Sequence, residues 1–222
     1  MVLFDFGGTL DADGVHWSPR LHAAYRAEGG SLEYASFERL VQAADRALAR
    51  LPEIRGLGFR DTIEAEVRLL LELVPDRPRV DAHRMSELFY GEARAAVARN
   101  RPVLERLARR YRLGIVSNFY GNLTRVCDDA GIRSFFDVLV DSAEVGWTKP
   151  DPRIFQRALG TLGVSASAAT FIGDSLPRDM AGARAVGMRH IWLAGAEPSA
   201  DGPCCRGDRQ IRSLRELEAI LL

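Results

Sequence analysis

Val2-Leu3-Phe4-Asp5-Phe6-Gly7-Gly8-Thr9-Leu10 is the stretch on which the fold turns. Three apolar residues, an acid and then two glycines read as a short buried strand that enters a tight turn with a carboxylate at its end. The same arrangement recurs far downstream. Leu113 to Val116 ends at Ser117-Asn118, Thr170 to Ile172 at Gly173-Asp174, and Arg189 to Leu193 at Ala194-Gly195; Phe136 to Val140, ending at Asp141, is a further candidate. Helical patterns lie between these runs at Pro102 to Arg110, Asn122 to Ala130, Pro152 to Leu162 and Arg178 to Val186, and a last helix from Ser213 to Leu222 follows a serine cap. Strand alternating with helix predicts an α/β fold, a parallel sheet with helices on its faces.

Residues 14–98 break the alternation, because no convincing strand occurs there. Ser18-Pro19 reads as a cap followed by proline at the first helical position, and Tyr34 to Leu51, Thr62 to Val74 and Ala82 to Ala98 carry apolar residues at helical spacing. Pro52, Gly56, Gly58, Pro75 and Pro78 separate them. The expected organisation is a core made of residues 1–13 and 99–222 with a second, all-helical domain at 14–98.

Bulk properties bound what such a chain does. At 222 residues, 47% apolar and 27% charged, it is too apolar for disorder and long enough for one core with a sizeable insertion. Thirty basic residues against thirty acidic ones give a formal net charge of zero, which argues against nucleic acid as the main partner. No apolar run approaches the ~18 residues of a membrane span, and a first strand starting at Val2 leaves no room for a leader, so a cytoplasmic protein without a membrane partner is expected. Cys127 and the adjacent Cys204 and Cys205 form neither a disulfide framework nor a zinc set, and the pair in the polar loop Pro198 to Asp208 receives no role. Twenty-nine of the thirty basic residues are arginine; only Lys149 is lysine. A compact ammonium surviving so strong a bias marks a tight site around an anion, where a wide guanidinium does not fit.

Ligands of open parallel sheets bind beyond the carboxyl ends of the strands. Asp5, Ser117 with Asn118, and Asp174 all stand at such ends. Two carboxylates held together, Asp5 and Asp174, call for a neutralising cation, and with oxygen donors and no His or Cys cluster Mg²⁺ fits best. Asp179, five residues beyond Asp174, reads as a helix cap or as a group that orients the metal's waters. The Thr9 and Ser117 hydroxyls, the amides around Gly7-Gly8 and the Lys149 ammonium are suitable donors to a phosphoryl group.

Four segments, taken in order, resemble the haloacid dehalogenase-like hydrolase superfamily. They are Phe4-Asp5-Phe6-Gly7-Gly8-Thr9-Leu10, Ile115-Val116-Ser117-Asn118, Lys149-Pro150-Asp151-Pro152-Arg153-Ile154-Phe155, and Ile172-Gly173-Asp174-Ser175 continuing to Asp179 and Gly182-Ala183. The resemblance implies a Rossmann-like core and makes the insertion a helical cap domain. It implies Asp5 as the nucleophile that forms an aspartyl-phosphate, and Ser117 and Lys149 as the groups that hold the transferring phosphoryl. Thr9, Gly8 and Asn118 become substrate-binding candidates, while Asp5, the Gly7 carbonyl, Asp174 and Asp179 make the Mg²⁺ site. The implied substrate is a small phosphorylated metabolite.

The sequence departs from the family at one consequential place. Phosphatases of this kind carry a second aspartate two residues after the nucleophile, as proton donor and acceptor; here that residue is Gly7. General acid–base catalysis contributes about 10²–10⁴-fold, so the reaction is slow, the leaving group needs no proton, or another residue supplies it. Asp11, Asp13 and His16 are near in sequence, but solvated turn residues are the simpler reading. A non-catalytic metal- and anion-binding module and a metal-independent haloacid dehalogenase stay open as alternatives, although the dehalogenases lack the acidic fourth motif. Relatives that form a Schiff base through a cap lysine are excluded, because residues 14–98 contain none.

Overall fold

The computed structural model describes residues 1–75, 80–195 and 209–222. Six strands, β1 (Val2–Phe4), β2 (Leu113–Ser117), β3 (Val138–Asp141), β4 (Thr170–Gly173), β5 (Arg189–Leu193) and β6 (Arg209–Ile211), form one wholly parallel sheet in the order β3-β2-β1-β4-β5-β6. This is the doubly wound order of nucleotide-binding folds, whose ligand crevice opens where the strand order reverses beside β1. Phe4 is in register with Ile115 on one side and Ile172 on the other, so the chain leaves β1, β2 and β4 at nearly one level. That level is the floor of the candidate site.

Alternation along β1 sends side chains to opposite faces. Val2 and Phe4 join one apolar cluster, with Val103, Leu104 and Leu107 of helix α4 (Ala82–Ala108) and Leu123 and Val126 of α5 (Leu123–Asp129). Leu3 joins the other, with Ile154, Phe155 and Ala158 of α7 (Pro152–Leu162) and Ala183 of α8 (Ala181–Ala185). Both faces of a parallel sheet are thereby covered, which is why its strands read as unbroken apolar runs. Helix α7 illustrates the local grammar. Asp151 caps it by accepting from the Arg153 amide, Pro152 occupies the first turn, and Gly163 at φ +64° ends it.

Among its described residues the insertion contains helices and no strand: α1 (Trp17–Ala27), α2 (Tyr34–Leu48), α3 (Phe59–Leu73) and the first part of α4. Between β3 and α7 lies the short helix α6 (Ser142–Val145), and α9 (Leu217–Leu221) closes the chain.

Three local expectations need correction, and one strand was not anticipated. Ser18 does not cap α1; the helix starts at Trp17, and His16 Nδ1 accepts from the Ser18 amide at 3.3 Å. Ala82 to Ala98 and Pro102 to Arg110 are not two helices but the single helix α4, which passes through Pro102. Proline removes one backbone donor there, yet burial of Val97, Val103, Leu104 and Leu107 on either side outweighs the loss. Helix α8 is short and is preceded by a wide turn, Leu176–Met180, of π geometry, in which the Met180 amide reaches back to the Ser175 carbonyl. Strand β6 was hidden in a polar stretch, where it pairs only with β5. Cys204 and Cys205 lie outside the described residues. No helix among the described residues is long and apolar enough to cross a membrane.

Candidate active site

Asp5 leaves the end of β1 with its amide held by the Ile172 carbonyl at 2.9 Å, which fixes where its side chain starts. Its Oδ1 accepts from Ser117 Oγ, at the end of β2, at 2.8 Å, and lies 2.6 Å from Lys149 Nζ. The same ammonium lies 2.7 Å from Asp179 Oδ1. Lys149 is buried, and its loop is clamped by Asn118: the Lys149 amide donates to Asn118 Oδ1 at 2.7 Å, and Asn118 Nδ2 donates to the Lys149 carbonyl at 3.2 Å. Asn118 thus positions the lysine through two backbone bonds. Burial alone lowers the Lys149 pKa, but the Asp179 and Asp5 carboxylates outweigh it and hold the ammonium above its ordinary value.

Asp174 follows β4. Thr9 Oγ1 donates to its Oδ1 at 3.3 Å, and the Trp192 indole N–H donates to its backbone carbonyl at 2.9 Å. Gly8 makes room for it: at φ +86° a Cβ on this residue comes 2.6 Å from Asp174 Oδ2, a distance no side chain tolerates. The Gly8 amide itself donates to Asp11 Oδ1 at 2.7 Å. Gly173 does the same for the next acid, since a Cβ there stands 2.4 Å from Asp179 Oδ2. The wide turn after β4 swings Asp179 back under the strand end, where its Oδ2 accepts from the Ser175 amide at 3.0 Å.

Asp5, Asp174 and Asp179 therefore converge, each offering a carboxylate oxygen within 4.8 Å of the others; they are the only such group of three among the described residues. Burial, and then the neighbouring carboxylates, push the Asp174 pKa well above the ordinary value; burial also raises that of Asp179, with Lys149 opposing. Crowded acids with unfavourable ionisation call for a neutralising cation. An all-oxygen donor set suits a hard divalent ion such as Mg²⁺.

Sequence reading missed how position 7 is surrounded. A Cβ on Gly7 comes 3.2 Å from Trp17 Nε1, so the first residue of α1 occupies the space beside it. The indole N–H donates to Asp11 Oδ2 at 2.7 Å, and Arg20 Nη1 donates to the same oxygen at 3.0 Å. Asp11 is not a solvated turn residue; it is wholly buried, accepts three hydrogen bonds and anchors the root of the insertion. Asp13 is paired with Arg99 at 2.7 Å. His16 does line the site cavity; burial, then the Arg178 charge, lowers its pKa and favours neutral imidazole.

Above the strand ends lies a cavity of about 740 Å³, floored by Asp5, Gly7, Ser117, Asn118 and Lys149 and roofed by α2 and α3. Of the aromatic and arginine residues of the insertion, Trp17, Tyr34 and Arg46 line it. Tyr25 is instead buried in the helical core beside Phe37, and Arg60 pairs with Glu87 over the Tyr90 ring.

A doubly wound sheet with an acid, a hydroxyl, a lysine and an acid pair at its strand ends, beneath a helical roof, defines an α/β hydrolase core of the haloacid dehalogenase type. The model of the haloacid dehalogenase-like hydrolase family matches residues 1–187, and the chain belongs to that family. It is 46% identical over 87 residues to the haloacid dehalogenase-like hydrolase domain-containing protein 3 of Bos taurus (39% of this chain, 35% of the relative). It is 38% identical over 89 residues to a phosphoserine phosphatase of Thermus thermophilus (40% of this chain, 35% of the relative). The matched stretch thus spans about a third of these relatives' length. A HAD-hydrolase of Bacillus subtilis, solved with magnesium bound, superposes with a TM-score of 0.58 at 21% identity over 99% of this chain and 97% of its own, which shows the shared fold.

Proposed function

We propose that the protein is a Mg²⁺-dependent phosphohydrolase acting on a small phosphorylated metabolite, with Asp5 as nucleophile. The observation that carries this reading is the Lys149 ammonium, which bridges Asp5 and Asp179 on the floor of the cavity while Ser117 Oγ bonds Asp5. An Asp5 oxygen attacks phosphorus, the bond to the leaving oxygen breaks, and water then hydrolyses the aspartyl-phosphate, so that one hard transfer becomes two easier ones. Lys149 and the Ser117 hydroxyl balance charge on the phosphoryl oxygens, while the Thr9 hydroxyl holds Asp174. Gly8 shapes the turn and Asn118 holds the lysine loop. Asp5, Asp174, the Gly7 carbonyl and Asp179 would hold Mg²⁺, which when bound would neutralise charge on the phosphoryl oxygens. The phosphoserine phosphatase among the relatives and the magnesium in the Bacillus structure support the class of substrate and the ion.

Gly7 offers no proton, and Asp11 is already engaged, so the reading favours leaving groups that depart without one, such as aryl or acyl phosphates. Turnover of aryl and alkyl phosphates with and without Mg²⁺ tests it. Aryl phosphates are expected to be cleaved about 10²-fold faster or more, and chelation or Asp5→Asn is expected to abolish both activities. Equal rates on the two classes, or indifference to the metal, contradict it. Metal-independent halide release lost in Asp5→Asn establishes a dehalogenase instead, and Mg²⁺ binding without turnover across a broad phosphate panel establishes a binding module.

A further inference from the structure

The cavity has a second pole that phosphate chemistry leaves unused. Its roof carries Glu38 and Asp45 from α2 and Glu66 from α3, with Tyr120 reaching up from the segment after β2. Glu66 is 1% exposed, and its Oε2 has no hydrogen-bond partner. A buried acceptor without a donor is costly, and native proteins rarely leave one without a water, an ion or a functional role to account for it. The Tyr120 hydroxyl donates to Asp45 Oδ1 and leaves Glu66 unserved. Glu38 accepts from the Tyr34 hydroxyl at 3.1 Å. Against these three carboxylates the roof offers one guanidinium, Arg46.

We propose that this pole receives a protonated amine, so that the ligand is a phosphorylated compound carrying an ammonium group at the end away from phosphorus. The proposal rests on the phosphohydrolase reading for where the phosphate sits. A cavity of about 740 Å³ holds far more than a phosphate, and its two ends differ in equipment: the floor acids face Lys149 and would share a divalent ion, whereas the roof acids have neither. An organic cation fits the roof better than a metal ion does, because Glu38, Asp45 and Glu66 do not bring three oxygens within 4.8 Å of one another as the floor acids do. An ammonium has three donors, enough to serve Glu66 Oε2 and Asp45 together. Burial, and then the Asp45 charge, pushes the Glu66 pKa well up, and a cation placed beside it would oppose that shift.

Calorimetry with ω-aminoalkylphosphonates of increasing chain length, against alkylphosphonates ending in methyl, tests the subsite without requiring turnover. At the best length the amine is expected to bind about tenfold more tightly or better in the presence of Mg²⁺, and the preference is expected to collapse in both Glu66→Gln and Asp45→Asn. Equal or weaker binding of the amines at every length overturns the proposal, as does a preference that survives both substitutions. Failure of the phosphohydrolase reading shows itself separately, as absence of hydrolysis of aryl phosphates while the amine preference persists.

Discussion

Trp17 accounts for an absence that the sequence shows but does not explain. Glycine two residues after the nucleophile removes a proton donor, and the indole crowds the space beside it, with Nε1 3.2 Å from where a Cβ would stand. Gly7→Asp alone presses on an indole that Asp11 Oδ2 holds in place, so it is expected to cost about 1–3 kcal/mol of stability in thermal melts. Alkyl-phosphate turnover is expected to rise only when Trp17→Ala is added to clear the space. A rise in the single variant at unchanged stability contradicts this steric account. Asp5, Ser117, Asn118 and Asp174 were legible because strand ends concentrate chemistry in parallel sheets, and Lys149 because it is the one lysine among thirty basic residues. Trp17, Asp11 and Glu66 were not, since nothing in their local pattern separates an apolar anchor, a buried salt bridge or an orphan acid from ordinary helix and turn residues.

Between elements, the insertion is tied to the sheet domain by borrowed caps. Helix α3 begins after Gly58, which has no side chain to offer, and Asp129 at the end of α5 reaches across to accept from the Phe59 amide at 2.8 Å and the Arg60 amide at 3.3 Å. Asn122 adds bonds to the Leu57 carbonyl at 3.1 Å and to Thr62 Oγ1 at 2.8 Å. A carboxylate at a helix start is worth about 1 kcal/mol, so Asp129→Ala is expected to lower the melting temperature by about 2–4 °C. An unchanged melting curve means that water replaces the cap at no cost. Such a partnership across seventy residues leaves no trace in either local sequence, whereas the Asp151 cap of α7, followed by Pro152, reads directly because donor and acceptor are neighbours. The passage of α4 through Pro102 was hidden for the opposite reason, because proline propensity gave the stronger local signal and burial decided.

On the scale of the molecule, Asp174 and Asp179 couple the site to stability. Their raised pKa values mean that the folded chain holds protons which the unfolded chain releases above the ordinary carboxylate range. Without a divalent ion, this contribution is therefore fully present at low pH and is lost as pH rises through the folded values. Mg²⁺ binds the ionised carboxylates, so its stabilising effect is expected to grow with pH. Melting curves at fixed millimolar Mg²⁺ should show a larger gain at pH 8 than at pH 5.5; a constant gain places the ion elsewhere. The parallel sheet and the helical insertion were readable from alternation and its interruption, while β6, pairing at one edge through three residues, was too short and polar to announce itself.

Helix α4 has a consequence for how the protein comes apart. Its 27 residues, roughly 40 Å of continuous rod, carry Met85 and Phe89 in the insertion and Leu104 and Leu107 against the sheet. One rigid beam shared by both lobes makes them melt together, and a chimera that exchanges the roof must splice in the turn beyond Ala108 and carry the whole beam with it.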